Sequence, residues 1–521
     1  VEYDKARRRP NFVLFITDQQ RADYLSCYGH PVLKTPSIDA IAAEGVRFTS
    51  FFVASPVCMP NRASLMTGRM PSVHGVRQNG IPLSERNATF VDLLREAGYR
   101  TALVGKSHLQ NFTDTPPEHR LPGDDGGMGP EAIRHDLDSP LYEQETPRHW
   151  LSASPRLRLP FYGFEHVDLV IGHGDRCGGD YGVWLHRTAP EAAARTGMAN
   201  QLQHDYVCPQ AVRTALPAEL HSTQYVADRA VAYLKATSNE PFFLMVSFPD
   251  PHHPFAPPGK YWDAYHPEEM PVPEAFLRDD WVPPPHVAAI LDEREEGSAR
   301  RAGAVSISCT RREALEARAL TCGMIAFIDD AIGQVMVALR RSGRRDDTVI
   351  AFTSDHGDHL GDHRLLLKGA EHYRELIRVP FIWSDPEGRT GAESSTIGQT
   401  IDIAPTILAR AGIRPYAGIQ GIDLFSGKSR DAALIQYDHQ KSYPGLDGPP
   451  RVHTLVDGRW RLSLTDGRAW GELYDLQADP GEFRNLWDDA AAAGEKARLL
   501  ELMARAEIAA VDRVPLPTRL A

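Results

Sequence analysis

Asp18 and Gln19 close an apolar run, Asn11-Phe-Val-Leu-Phe-Ile-Thr17, and Asp355 and His356 follow a second one, Thr348-Val-Ile-Ala-Phe-Thr-Ser354. Phe and β-branched residues in runs of this length predict buried parallel strands. In open α/β sheets ligands bind at the carboxyl edge of such strands. Two carboxylates, an amide oxygen and an imidazole meeting at one edge would make a divalent-metal site of mixed oxygen and nitrogen type. The plainer alternative is that Asp18 caps the next helix and His356 is a satisfied loop histidine. Between the two pairs lies Cys58, four residues before Arg62. Beside that cation, at a helix N-terminus, it could be a thiolate nucleophile of lowered pKa. A buried structural cysteine is the competing reading.

The elements around these residues alternate. Thr35–Gly45 predicts a helix with Pro36 in its first turn and Gly45 at its stop, and Thr89–Ala97 predicts another before Gly98. Tyr99–Val104 predicts a strand running into Gly105-Lys106; Val226–Leu234 predicts a helix before the strand Phe242–Phe248. Arg312–Leu339 predicts a long helix stopped at Gly343, just before the Thr348 strand. Strand and helix in alternation imply a large, mainly parallel sheet sandwiched by helices. Residues 111–220 and 267–300 break the rhythm and read as insertions that wall a pocket or form subunit contacts. After about residue 428, short alternating runs with Asp457-Gly458 and Asp466-Gly467 between them predict antiparallel hairpins, closed by a helix over about 490–509. The expected division is therefore a catalytic α/β domain over 1–428 and a small α+β subdomain over 429–521.

Composition narrows the function. A chain of 521 residues with 42% apolar and 24% charged residues is a large globular protein. A net charge of −12 argues against a nucleic-acid partner. No uninterrupted apolar run is long enough to cross a bilayer, so no membrane partner is expected. The opening Val-Glu-Tyr-Asp-Lys has no apolar leader core, so a signal peptide is either absent or already removed, and six cysteines in so long a chain are no disulfide scaffold; a cytoplasmic location is the expectation.

The segment Ser55-Pro-Val-Cys58-Met-Pro60-Asn-Arg62-Ala-Ser-Leu-Met-Thr67-Gly68-Arg69 resembles the sulfatase signature, in which the cysteine is oxidised to formylglycine. The opening strand to Gln19 is similar to that family's first metal segment. Gly105-Lys106-Ser-His108 is similar to its Gly-Lys-x-His, Pro251-His252-His253-Pro-Phe255 to its histidine loop, and Ser354 to Lys368 to its second metal segment. Asp402-Ile-Ala-Pro-Thr406 and Leu473-Tyr-Asp to Asn485-Leu486 resemble late segments, so the likeness runs nearly end to end. It implies an alkaline phosphatase-like fold.

What the resemblance implies is a metal-dependent, formylglycine-type arylsulfatase acting on a small sulfate ester and matured by a formylglycine-generating enzyme. Asp18, Gln19, Asp355 and His356 would hold one divalent metal ion. Arg62 and the metal would position the formylglycine hydrate, with His108 alongside. Lys106 and Lys368 would neutralise the sulfuryl oxygens, and His252 would serve the leaving oxygen. Many family members carry Asp-Asp and Asp-Asn where this chain has Asp18-Gln19 and Asp355-His356, a departure that resembles the phosphonate monoester hydrolases. Those enzymes lack the Lys-x-His kept here as Lys106 and His108, so phosphonate monoesters and phosphodiesters are expected as additional or alternative substrates. A similar asparagine reaches substrate in them, which puts Asn79 among the candidates. The imidazole favours Mn²⁺ or Zn²⁺ over Ca²⁺, a hard cation, though Ca²⁺ stays possible. His253, His359 and His363 read as supporting or structural, and His221 as cap-related. A homo-oligomer, dimer or tetramer, is compatible with the insertions. A reading of another class is a non-catalytic metal- or anion-binding protein in which Cys58 stays unmodified.

Overall fold

The computed structural model describes residues 9–116, 132, 135–137, 139–152, 155–236, 240–303 and 305–519. The opening pentapeptide and part of the 111–220 stretch therefore lie outside the described residues.

The first strand, Asn11–Thr17, sits near the middle of a nine-stranded sheet. Across that sheet the order is Ala392–Ser394, Val46–Phe48, Phe381–Ser384, Thr348–Ser354, Asn11–Thr17, Phe242–Ser247, Arg100–Gly105, His166–Ile171 and Gly178–Gly179. The five strands from Thr348–Ser354 to His166–Ile171 pair in parallel. Phe381–Ser384 and Gly178–Gly179 run antiparallel to their neighbours. Side chains alternate across a strand, so Val13 and Phe15 enter one core cluster while Phe12, Leu14 and Ile16 enter the other. Burial on both faces explains why the strands read as continuous apolar runs.

The first face is covered by Ser222–Ala236 and Arg311–Arg341, the second by Cys58–Thr67, Phe90–Glu96 and Ile403–Arg410. By length and composition Arg311–Arg341 is apolar enough to cross a membrane, although charged residues interrupt it. It is mostly buried in the core, and its Asp329 accepts the Ser37 and Ile38 N–H groups at 3.0 and 2.8 Å.

The stretch 111–220 is more than an insertion in the loop sense. It contains His166–Ile171, a full strand of the main sheet, and the helix Asp180–Thr188. Near the C-terminus, Ala433–Asp438, Arg451–Val456, Trp460–Thr465 and Gly471–Asp475 form a separate antiparallel meander. The helix Ala493–Ala510 packs on it through Leu499 and Met503. The Gln436 N–H donates to the Ala54 carbonyl at 2.9 Å, and Tyr437 and Tyr443 share a core with Val57. The small sheet thus touches the segment that leads into Cys58.

Candidate active site

Strand register assembles the site. Thr17 pairs with Ser354, so Asp18-Gln19 and Asp355-His356 leave the sheet side by side. The Gln19 N–H donates to Asp355 Oδ1 at 3.0 Å, with Gln19 held at φ 65°. A non-glycine residue there is uncommon and points to a constrained turn. Two strands across, Gly105 pairs with Ser247 and delivers Lys106. At φ 110°, a Cβ on Gly105 would lie 1.8 Å from the Ser247 carbonyl oxygen, so only glycine fits.

Cys58 opens the helix Cys58–Thr67 and is 1% exposed. Pro60 falls in the first turn, where its missing N–H leaves no bond unmade. Asn61 Oδ1 accepts the Ala54 N–H at 2.9 Å and the Thr400 hydroxyl at 2.7 Å, fixing the approach to the helix. Arg62, also buried, donates from Nε to Asp355 Oδ2 at 2.7 Å and from Nη1 to the Lys106 carbonyl and Ser247 Oγ. Its Nη2 has no partner among the described residues. Arg62 therefore ties the helix that opens on Cys58 to three strand ends.

Around Cys58 the charges converge. Its Sγ lies 3.1 Å from His356 Nε2, 3.1 Å from Lys368 Nζ and 3.6 Å from Asp18 Oδ1. Lys368 Nζ also reaches Gln19 Oε1 at 2.9 Å, His252 Nε2 at 2.9 Å and His356 Nε2 at 3.0 Å. Lys106 Nζ pairs with Asp18 Oδ2 and lies 2.9 Å from His173 Nε2. Burial would raise the Asp18 carboxyl, but Lys106, then His252 and His173, hold it well below the usual carboxylate range. Burial, and next Asp18, push the Cys58 thiol up despite Lys106 and Lys368. Burial thus works against a thiolate at Cys58, while Lys106 and Lys368 work for one.

The donor set fits a divalent cation. One ligand atom each from Asp18, Cys58, Asp355 and His356 lie within 4.8 Å of one another, all buried. His356 Nδ1 donates to the Gly357 carbonyl at 2.9 Å, which turns Nε2 toward the carboxylates. Gln19 Oε1 and His356 Nε2 already share one positive charge, the Lys368 ammonium, so both present lone pairs to the same point.

The other expected residues divide. His252 lies in the cluster, its Nδ1 donating to the His253 carbonyl at 2.5 Å, and burial and His173 hold it well below the usual imidazole range. His253 sits behind Gln19, with Nδ1 3.0 Å from its amide nitrogen. His108 is stacked on Phe112 at 3.9 Å and shows no hydrogen bond to Cys58; its Nδ1 has no partner among the described residues. Asn79 is half-buried, and its Oδ1 accepts the Met59 N–H at 3.1 Å, which places it at the first turn of the helix that opens on Cys58. His359 and His363 lie apart, the first 3.5 Å from Glu371 and the second stacked on Tyr373. His221 Nδ1 accepts the Thr223 N–H at 3.4 Å at the start of Ser222–Ala236, a capping contact.

Two contributors escape sequence reasoning, both from the 111–220 stretch. His173 Nε2 lies 3.2 Å from Asp18 Oδ2, and its ring is stacked on His252 at 3.6 Å. Glu145 accepts the His108 and Gln110 N–H groups at 3.1 and 2.8 Å, holding the segment after Lys106; burial pushes its carboxyl up to about 7. A strand pattern in His166–Ile171 was the available signal for His173, since His173 sits two residues past its end.

A nine-stranded, mainly parallel sheet with this cluster at its carboxyl edge defines a hydrolase class, and comparison with known proteins names it. The sulfatase family matches residues 10–413, and the C-terminal region of N-sulphoglucosamine sulphohydrolase matches 361–508. The chain belongs to the sulfatase family and has its alkaline phosphatase-like fold. It is 28% identical to an arylsulfatase of Clostridium perfringens over 92% of this chain and 90% of that protein. It is 28% identical to a multifunctional alkaline phosphatase superfamily protein of Trinickia caryophylli, over 93% and 92%. The crystal structure of the phosphonate monoester hydrolase of Agrobacterium radiobacter superposes with a TM-score of 0.77 at 26% identity, covering 98% of both chains.

Proposed function

We propose that the protein is a formylglycine-type arylsulfatase that releases inorganic sulfate and also accepts phosphonate monoesters and phosphodiesters. Asp18, Gln19, Asp355 and His356 would hold its divalent cation. The carrying observation is the surroundings of Cys58, a buried side chain at a helix start with Lys368, His356 and Asp18 within 3.6 Å. A divalent cation there supplies Lewis acidity that lowers the pKa of an oxygen nucleophile. Formylglycine formed at Cys58 would supply, as its hydrate, a hydroxyl nucleophile together with a second hydroxyl able to release the anion.

The chain's own residues do the rest. Lys106 and Lys368 bring two fixed ammonium groups to the point where the sulfuryl oxygens gather charge, and fixed charge needs no reorganisation during reaction. His252 Nδ1 is committed to the His253 carbonyl, so Nε2 is the atom that exchanges a proton with the leaving oxygen. Arg62 keeps Asp355 oriented.

A second reading, a phosphonate monoesterase first and a sulfatase second, draws on the Gln19 and His356 pair and on the Agrobacterium radiobacter likeness. Metal-reconstituted protein whose Cys58 peptide has been mass-verified separates the two on matched aryl sulfate and aryl phosphonate esters. We expect the larger kcat/KM on the sulfate and no turnover in folded Cys58→Ala. A larger value on the phosphonate makes the second reading correct. Converted protein that cleaves neither ester is a binding protein, and retained activity in Cys58→Ala refutes the nucleophile.

A further inference from the structure

The groups hydrogen-bonded to Cys58 are sealed from solvent. Asp18 and His356 are 0% exposed and Lys368 3%, as is His252, which lies on Lys368. The alcohol portion of any ester bound there must leave the cluster past a side chain that solvent reaches. His173 is such a residue: its side chain is 22% exposed, yet Nε2 contacts both Asp18 and Lys106. Phe112 beside it is half-buried.

These two rings are the outer members of two stacks. His173 lies on His252 at 3.6 Å and 10°, and Phe112 lies on His108 at 3.9 Å and 13°. The outer rings stand 6.2 Å apart and 57° to each other, forming an aromatic corner. Lys106 Nζ lies 5.4 Å from the Phe112 centroid, so the corner begins where the anionic head of a substrate ends. Aromatic rings favour further rings in offset or edge-to-face contact at such separations. A small saturated group gains little from this geometry.

We propose that His173 and Phe112 form the leaving-group wall of the site and select aromatic over aliphatic leaving groups, an inference that rests on the ester-hydrolase reading. His173 is a specificity-determining residue in this account, drawn from outside every segment that carries the family resemblance.

The test uses full-length, metal-loaded, mass-verified protein and two sulfate monoesters matched in leaving-group acidity, one aryl and one fluoroalkyl. His173→Gln keeps a polar group near Asp18 and Lys106 without a ring. Phe112→Leu keeps apolar bulk at a half-buried position. In each variant the ratio of kcat/KM on the aryl ester to that on the fluoroalkyl ester should fall by about three- to tenfold, whatever loss the two esters share. Equal losses on both esters would reduce His173 to a prop for Lys106 and Asp18 and overturn the proposal, as would no loss on either. Converted wild-type protein that cleaves neither ester overturns the hydrolase reading and this inference with it. An active enzyme whose aryl preference survives both substitutions overturns this inference alone.

Discussion

In the proposed ligand set His356 would decide the choice of cation, because it would add a nitrogen to the oxygens of Asp18, Gln19 and Asp355. Oxygen donors suit calcium, whereas an imidazole suits manganese or zinc. His356→Asn should therefore shift metal preference toward calcium, read by elemental analysis of protein equilibrated with both ions. An unchanged manganese or zinc content in that variant would remove His356 from the ligand set. Asp355 carries a second burden. Its Oδ2 neutralises Arg62, which is 1% exposed, so Asp355→Ala strands a buried guanidinium. Breaking such a pair costs about 3–5 kcal/mol. The variant should lose metal content and shift its denaturant midpoint together, whereas His356→Asn should move metal content alone.

Gly105 shows what the strand ends demand of the elements behind them. Gly105→Ala would drive a methyl group into the Ser247 carbonyl and prise apart the strands that place Lys106 and support Arg62. We expect a loss of at least about 2 kcal/mol, the order of other strained backbone positions, and activity at or near background. A stable, fully active Gly105→Ala enzyme would show that the register around Lys106 is not required. At this scale much of the site is legible in the sequence. Runs such as Phe12 to Thr17 and Val349 to Ser354 announce strands because both of their faces are buried, and the residue after each run lands at the functional edge. Glu145 is not legible, because nothing periodic leads to it, and His173 is signalled only by a six-residue strand flanked by irregular chain. The contact of Asn79 with the Met59 N–H is equally invisible, since it depends on how a loop folds back over a helix start.

Taken whole, the molecule buries histidines that must stay neutral. His30 Nδ1 accepts the Val32 and Leu33 N–H groups at 3.2 and 2.9 Å, and His74 Nδ1 accepts the Val76 N–H at 3.1 Å. A proton on either nitrogen would oppose donor to donor. Burial pulls His30 down to about 4, and burial and Arg69 pull His74 down to about 3. Unfolded histidine titrates near about 6.5, so between that pH and about 4 the unfolded chain binds more protons than the folded one. Stability should therefore hold above about pH 6.5 and fall as the pH drops toward 4, with an uptake of up to about two protons from this pair on unfolding. A flat unfolding free energy across that window would contradict the assignment. The C-terminal meander is legible at this scale from its Asp-Gly turns, but its contact with Ala54 and Val57 is not, because a contact between a sheet and a loop leaves no pattern in either segment.

The pairing of Thr17 with Ser354 also sets a clock. It joins residues more than 300 positions apart, as the contact from Gln19 to Asp355 across 336 residues records. Helices form early from local contacts, whereas strand pairing over such a separation waits on the closure of a long loop. Asp18-Gln19 and Asp355-His356 each supply only half of the proposed ligand set. During refolding, helical signal should return well before cation uptake, and the interval between them times the arrival of the first strand in the sheet.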